Sequence, residues 1–195
     1  MPRPHNGGGG NNKSFATQQS LNGAIKSICD IMRRSNCAGA LQYVPELTWI
    51  LFLRILDERE MREAEEAETV GVEYMPSLAS PYRWRDWAAP YDGLLFGQVE
   101  GGLPTGWKRR ELQYGALGAF FGFVNGELIP HLKKLRELPN ATSRQKVISE
   151  IFSGVERTRI DTERNLLDVL DKVHEISGET MEDCSPMRLS SMTWC

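Results

Sequence analysis

The sequence predicts a mainly α-helical bundle around one central apolar helix at about residues 45–69, with a loop-rich aromatic insertion and room for a small hairpin. Three observations carry that prediction. Leu21, Ile25, Ile28 and Met32 recur at four-, three- and four-residue steps, the stripe of an amphipathic helix. Leu47 to Leu56 reads LTWILFLRIL, apolar on nearly every side, which suits a helix enclosed by others. The same period returns after Glu111 and again over 162–177.

Residues 1–17, MPRPHNGGGGNNKSFAT, have the composition of a flexible linker and no apolar run, so they read as a disordered tail without a secretory signal. The domain is expected over 18–177, and 178–195 as a tail with no period of either kind. A domain of this size buries about two thirds of its unfolded surface without staples. The cysteines, Cys29, Cys37, Cys184 and Cys195, form no CxxC pair, which argues for reduced thiols and a cytoplasmic setting and against a structural metal. The apolar run of helix two is too short to span a bilayer, and the acidic DEREMREAEEAE that follows continues it into water, so no membrane role is expected.

Asn36 to Gly39 breaks the first helix. Pro45, followed by Glu46, is expected in the first turn of helix two, where a missing N–H and an early carboxylate are tolerated. Gly71 is its stop signal. The aromatic stretch 74–91 carries Tyr82, Trp84 and Trp87 beside Arg83 and Arg85. Such a set could stack on unpaired bases, but large rings in a loop without a helical core of its own more often anchor into the body. Residues 97–110, GQVEGGLPTGWKRR, contain the turn residues Gly101, Gly102, Pro104 and Gly106 and could form a hairpin or a wandering loop.

From Glu111 a third long helix is expected, with Leu117, Phe121, Val124, Leu128, Leu132 and Leu135 on one stripe, Phe120 and Ile129 widening it, and Pro130 kinking it or starting a new one. Gly115, Gly118, Gly122 and Gly126 lie three or four apart on that rod. Each costs about 1 kcal/mol relative to alanine, so together they suggest a side where another helix or a partner subunit approaches closely. Thr142 or Ser143 should cap helix four, with Val147, Ile148, Ile151 and Phe152 inward. Asp161 or Thr162 should cap helix five, with Leu166, Leu167, Leu170, Val173 and Ile176 inward.

The charge is unevenly placed. Asp57 to Glu68 holds seven acids and two arginines, a local −5, whereas Gly101 to Ile160 holds ten bases and five acids, a local +5. The densest basic run, Lys108, Arg109 and Arg110, is expected on an exposed loop ahead of a helix, and Lys133, Lys134 and Arg136 on an exposed turn. These six are the candidate phosphate contacts. No reaction centre emerges. His5, His131 and His174 are far apart, Asp171 and His174 share a helix face as an ordinary surface pair, and GAFFGFVNG lies inside a helical period rather than after a strand. Catalytic, cofactor and metal residues are therefore assigned to no position.

The succession ICDIMRR, YVPELTWILFLRILDERE, YRWRDW and NLLDVLDKVHEIS resembles the N-terminal domain of the modification (methyltransferase) subunit of type I restriction-modification systems, over about residues 18–177. The resemblance implies a helical domain preceding a catalytic domain that binds S-adenosylmethionine and methylates adenine at N6 in duplex DNA. It also implies assembly with a specificity subunit and a restriction subunit, and a part in enclosing DNA. The family's Asn-Pro-Pro-aromatic motif has no counterpart, since none of the ten prolines is next to another. The chain by itself is accordingly expected to be inactive, holding no cofactor. Two rival readings stand beside this one. The first is a free-standing helical protein-binding adaptor using the glycine side or the acidic end of helix two. The second is an enzyme with an unrecognised site.

Overall fold

The computed structural model describes residues 11–35, 39–93 and 103–176, which contain helices and turns and no strand. Helix α1 spans Asn11–Arg34 and α2 Ala40–Thr69. A single turn, α3, covers Trp84–Trp87, and α4 covers Trp107–Gln113. Helix α5, Ala119–Phe123, runs into a π turn at Val124–Leu128, then α6 at Ile129–Lys134 and a 3-10 turn at Leu135–Glu137. Helices α7, Ser143–Phe152, and α8, Glu163–His174, complete the bundle.

One core joins them. Leu21, Ile28 and Met32 of α1 are buried along α8, whose Leu166, Val169, Leu170 and Val173 answer them. Helix α2 is the central element. It packs on α8 and α3 and buries Leu47, Ile50, Leu53 and Leu56, and its Trp49 meets Phe152 of α7 edge-on at 5.8 Å. Apolar residues line up on these helices because their spacing follows the turn, and their burial supplies most of the stability. The aromatic stretch behaves as an anchor: Trp84 and Trp87 of α3 are fully buried, which removes them as base-stacking platforms.

Local signals place the ends. Gly71 takes the left-handed conformation (φ +70°) after α2, its N–H bonding to the Glu68 carbonyl and that of Val72 to Ala67, the pairing that closes a Schellman cap. Thr142 and Gln145 form a reciprocal capping box on α7, and the Thr162 hydroxyl accepts from the Asn165 N–H at the start of α8.

Several expectations are corrected. Helix α1 begins at Asn11, inside the stretch expected as a tail, because NKSFATQQ contains good helix formers and no breaker once the glycines are passed. Helix α2 begins at Ala40 rather than near Pro45, which sits inside it. The Leu41 carbonyl, which Pro45 cannot serve, is met instead by the Arg159 guanidinium at 3.5 Å. The third helix is not continuous. The chain breaks between α4 and α5, with Gly118 left-handed (φ +81°), so Leu117 is fully exposed while Phe120, Phe123, Val124, Leu128 and Ile129 form the buried stripe. Pro130 stands in the first turn of α6, as a proline that starts a segment should. Val147 is exposed rather than inward on α7. The hairpin question falls largely on 94–102, and the expected C-terminal tail on 178–195, both outside the described residues.

Candidate DNA and subunit interface

Helix α4 is fastened to α3 before any ligand is considered. Gly106 precedes it with φ +71°, donates to the Arg85 carbonyl at 2.7 Å, and lies so close to Tyr91 that an added Cβ would stand 2.6 Å from the Tyr91 Cα. Only glycine fits there. Trp107 Nε1 donates to Asp86 Oδ1 at 3.2 Å. Arg109 is 5% exposed, and its Nη1 donates to the Ala88 carbonyl at 2.8 Å and to Asp171 Oδ1 at 2.6 Å, tying α4 to α3 and α8.

The run Lys108, Arg109 and Arg110 is therefore helical rather than on an exposed loop, and its members diverge. Consecutive helical residues point about 100° apart, so three adjacent bases cannot share a face. Lys108 pairs with Glu111 at 2.8 Å and lies 5.7 Å over the Trp107 and Phe123 rings. Arg109 is structural, which takes it out of the phosphate set. Arg110 is exposed and stacks over Tyr91 at 4.3 Å and Tyr114 at 5.8 Å.

The second basic set lies on α6 and the 3-10 turn after it. Lys134 and Arg136 are exposed, Lys133 is half-buried, and Arg136 faces Glu150 at 3.7 Å. The Lys133 carbonyl accepts from Ser149, which fixes α6 on α7. A row of rings connects the two sets: Phe123 below Lys108, Tyr82 parallel to Phe123 at 6.1 Å, and His131 of α6 stacked on Tyr82 at 3.8 Å. Burial holds the His131 pKa below the usual imidazole value.

The four glycines are not one packing side within the chain. A Cβ at Gly118, Gly122 or Gly126 would meet nothing within 4 Å, and at Gly115 it would meet mainly neighbouring backbone carbonyls. Beside them Tyr114 and Leu117 are exposed. Asp171 and His174 also part company. Asp171 turns to Arg109, while His174 Nδ1 accepts from Trp84 Nε1 at 3.2 Å, with its pKa lowered chiefly by burial.

Two arrangements were missed in the sequence. Arg144 of α7 grips Glu63 of α2 through both terminal nitrogens, at 2.7 and 2.9 Å, and Tyr74 donates to the same carboxylate at 2.8 Å. The arginine's hydrogen bonds hold Glu63 at a pKa of about 2, and burial and the carboxylate raise Tyr74 to about 12. The second arrangement is the segment after α7. Thr158 is buried, donates its hydroxyl to Glu46 of α2, and receives Asn125 Oδ1 on its N–H at 2.9 Å. Arg157 and Arg159 on either side are exposed and line two adjacent clefts of about 550 and 430 Å³. The alternation Arg-Thr-Arg was the available signal, a period of two in a stretch otherwise read only as a link between helices.

No three of His, Cys, Asp or Glu converge as a metal cluster among the described residues, and no described helix is long and apolar enough to cross a membrane.

Residues 21–103 match the family model of the HsdM N-terminal domain. Over 165 residues the chain is 30% identical to the methylase subunit of the type I restriction enzyme EcoEI of Escherichia coli, covering 84% of this chain and 28% of that protein. Its fold is similar to a modification subunit of a putative type I restriction enzyme from Vibrio vulnificus YJ016, with a TM-score of 0.65, 30% identity, and coverage of 89% of this chain and 34% of the other. A chain from a structure of complex assembly and conformational transition in the type I R-M system matches with a TM-score of 0.58 and 32% identity, over 84% of this chain and 27% of that one. The chain thus spans about a third or less of the length of the relatives it matches. Its residues 21–103 thus match the HsdM N-terminal domain family, and over most of its length the chain is similar to part of the modification subunits of type I restriction-modification systems.

Proposed function

We propose that this domain is an assembly module of a type I DNA adenine-N6 methyltransferase. In this reading it docks on a specificity subunit and a restriction subunit in the cytoplasm and helps enclose duplex DNA, while S-adenosylmethionine is bound by a catalytic domain of the full-length subunit. The observation that carries the reading is the match along most of this chain to about a third of the length of modification subunits, in a bundle whose described ion pairs tie one helix to another. Its DNA contacts are electrostatic and independent of sequence, since phosphate contacts position a protein without reading bases.

Arg110, Lys133, Lys134 and Arg136 remain the phosphate candidates of the original six. Lys108, half-buried against two rings and paired with Glu111, contributes less, and Arg109 nothing. Gly115, Gly118, Gly122 and Gly126, flanked by Tyr114 and Leu117, form the candidate subunit-facing side. The test is charge reversal of Arg110, Lys133, Lys134 and Arg136 in the full-length subunit assembled with its specificity subunit. Duplex binding at low salt should weaken with little change between sequences. Unchanged binding would remove these residues from the interface.

The adaptor reading keeps one specific support. The far half of α2 is acidic and ends on exposed Val70, Val72 and Met75, a surface unsuited to DNA and suited to a basic protein partner. Saturable binding to a specificity subunit with no contribution to duplex binding would favour it.

A further inference from the structure

The two clefts beside Thr158 differ in their linings except at two positions. The larger is lined by Gln42, Phe121, Asn125 and Asp161 among others, the smaller by Pro45, Trp49 and Glu156 among others, and Arg157 and Arg159 line both. The arginines therefore form the ridge between them. Glu156 lines only the smaller cleft and Asp161 only the larger, so the shared ridge carries positive charge with an acid at each outer end.

The ridge is held from below. Thr158 is held inward, its hydroxyl on Glu46 and its backbone N–H on Asn125, while Arg157 and Arg159 on either side are exposed. The Arg159 guanidinium is directed toward the Leu41 carbonyl that Pro45 leaves without a helical donor, and its charge also faces Glu46, which lines the smaller cleft with it. Arg157 makes no ion pair among the described residues. Glu46, the carboxyl beneath the ridge, is buried, and burial favours its neutral form, which weakens the opposing charge. The planar fork of a guanidinium suits the geometry of phosphate oxygens.

We propose that Arg157 and Arg159 form a phosphodiester-contact ridge, taking adjacent backbone phosphates of duplex DNA as the strand passes from one cleft to the other. A polymer fits two clefts with a shared charged wall better than a compact anion does, and the proposal rests on the DNA reading given above. It adds a contact pair that lies apart from the α4 and α6 bases.

The test uses the full-length modification subunit in complex with its specificity subunit, with duplex DNA lacking the recognition sequence as the probe. In a series from 50 to 200 mM salt, R157Q/R159Q should reduce the slope of log affinity against log salt by about 1.8, the value for two lost phosphate contacts. R157K/R159K, which keeps the charge, should restore most of the slope. Should the double glutamine variant lose helicity, R157Q alone leaves the Arg159 contact to Leu41 intact and should reduce the slope by about 0.9. A wild-type complex that binds duplex with a slope unchanged in R157Q would overturn this proposal and leave the DNA reading standing. Absence of duplex binding by the wild-type complex would overturn both. Inorganic phosphate that displaces the duplex at equal phosphate concentration would assign a single-anion site and overturn the backbone reading.

Discussion

Two basic segments of this domain put similar charge to opposite use. Lys108, Arg109 and Arg110 are the densest run in the sequence, yet the helix turns them in three directions: one is buried on Asp171, one paired with Glu111, and one laid over tyrosines. Arg157 and Arg159 are separated by a threonine and drew no notice in the sequence, yet both are exposed on either side of a buried pin. Charge density along a sequence measures proximity along the chain. Availability depends on where the fold turns each side chain.

That contrast can be broken most strongly at Arg109. Asp171→Ala leaves a buried guanidinium with the Ala88 carbonyl as its remaining named partner and should cost about 2–3 kcal/mol in urea unfolding, below the loss for a fully enclosed pair because Asp171 is 42% exposed. Arg144 is the next structural base within the +5 region. Arg144→Gln should cost about 1–2 kcal/mol at pH 7. Its pH signature is distinct. Glu63 has its folded pKa lowered from 4.5 to about 2, so its contribution is present above 4.5 and is lost as pH falls toward 2. A stability profile over that window should be flatter in the variant.

Glu46 sharpens the comparison from the other side, since it supports the ridge. Its folded pKa is raised, chiefly by burial, so its contribution is full below the unfolded value near 4.5 and is lost as pH rises through the folded value. Glu46→Gln keeps an acceptor for Thr158 and should flatten stability above pH 4.5 without lowering it at pH 7, as read by thermal melts across pH. The smallest effect on folding is expected at Lys134→Gln, within about 0.5 kcal/mol of wild type, with about 0.9 lost from the salt slope if that residue meets phosphate.

The long helices were legible because period and burial agree in them. Leu21, Ile28 and Met32 of α1, and Leu166, Leu170 and Val173 of α8, lie inward as their spacing requires, and the capping threonines Thr142 and Thr162 stand where short polar side chains precede apolar runs. The third helix misled because its stripe is nearly continuous through Leu117. Its glycines, taken as a packing surface, include the break itself at Gly118, and the π turn before Pro130 shifts the register that a regular helix would keep. Of the interface, spacing alone could show which residues are basic. Whether Arg109 finds Asp171, 62 positions away, is decided by tertiary packing that no local pattern reports.

The most direct test of this account is residue-resolved chemical labelling of lysines and arginines in the full-length subunit assembled with its specificity subunit, with and without duplex DNA. Arg109 should be unreactive in both states, while Arg157, Arg159, Lys134 and Arg136 should be reactive alone and protected when DNA is bound. Arg157 equally reactive in both states, or Arg109 reactive alone and protected by DNA, would contradict it.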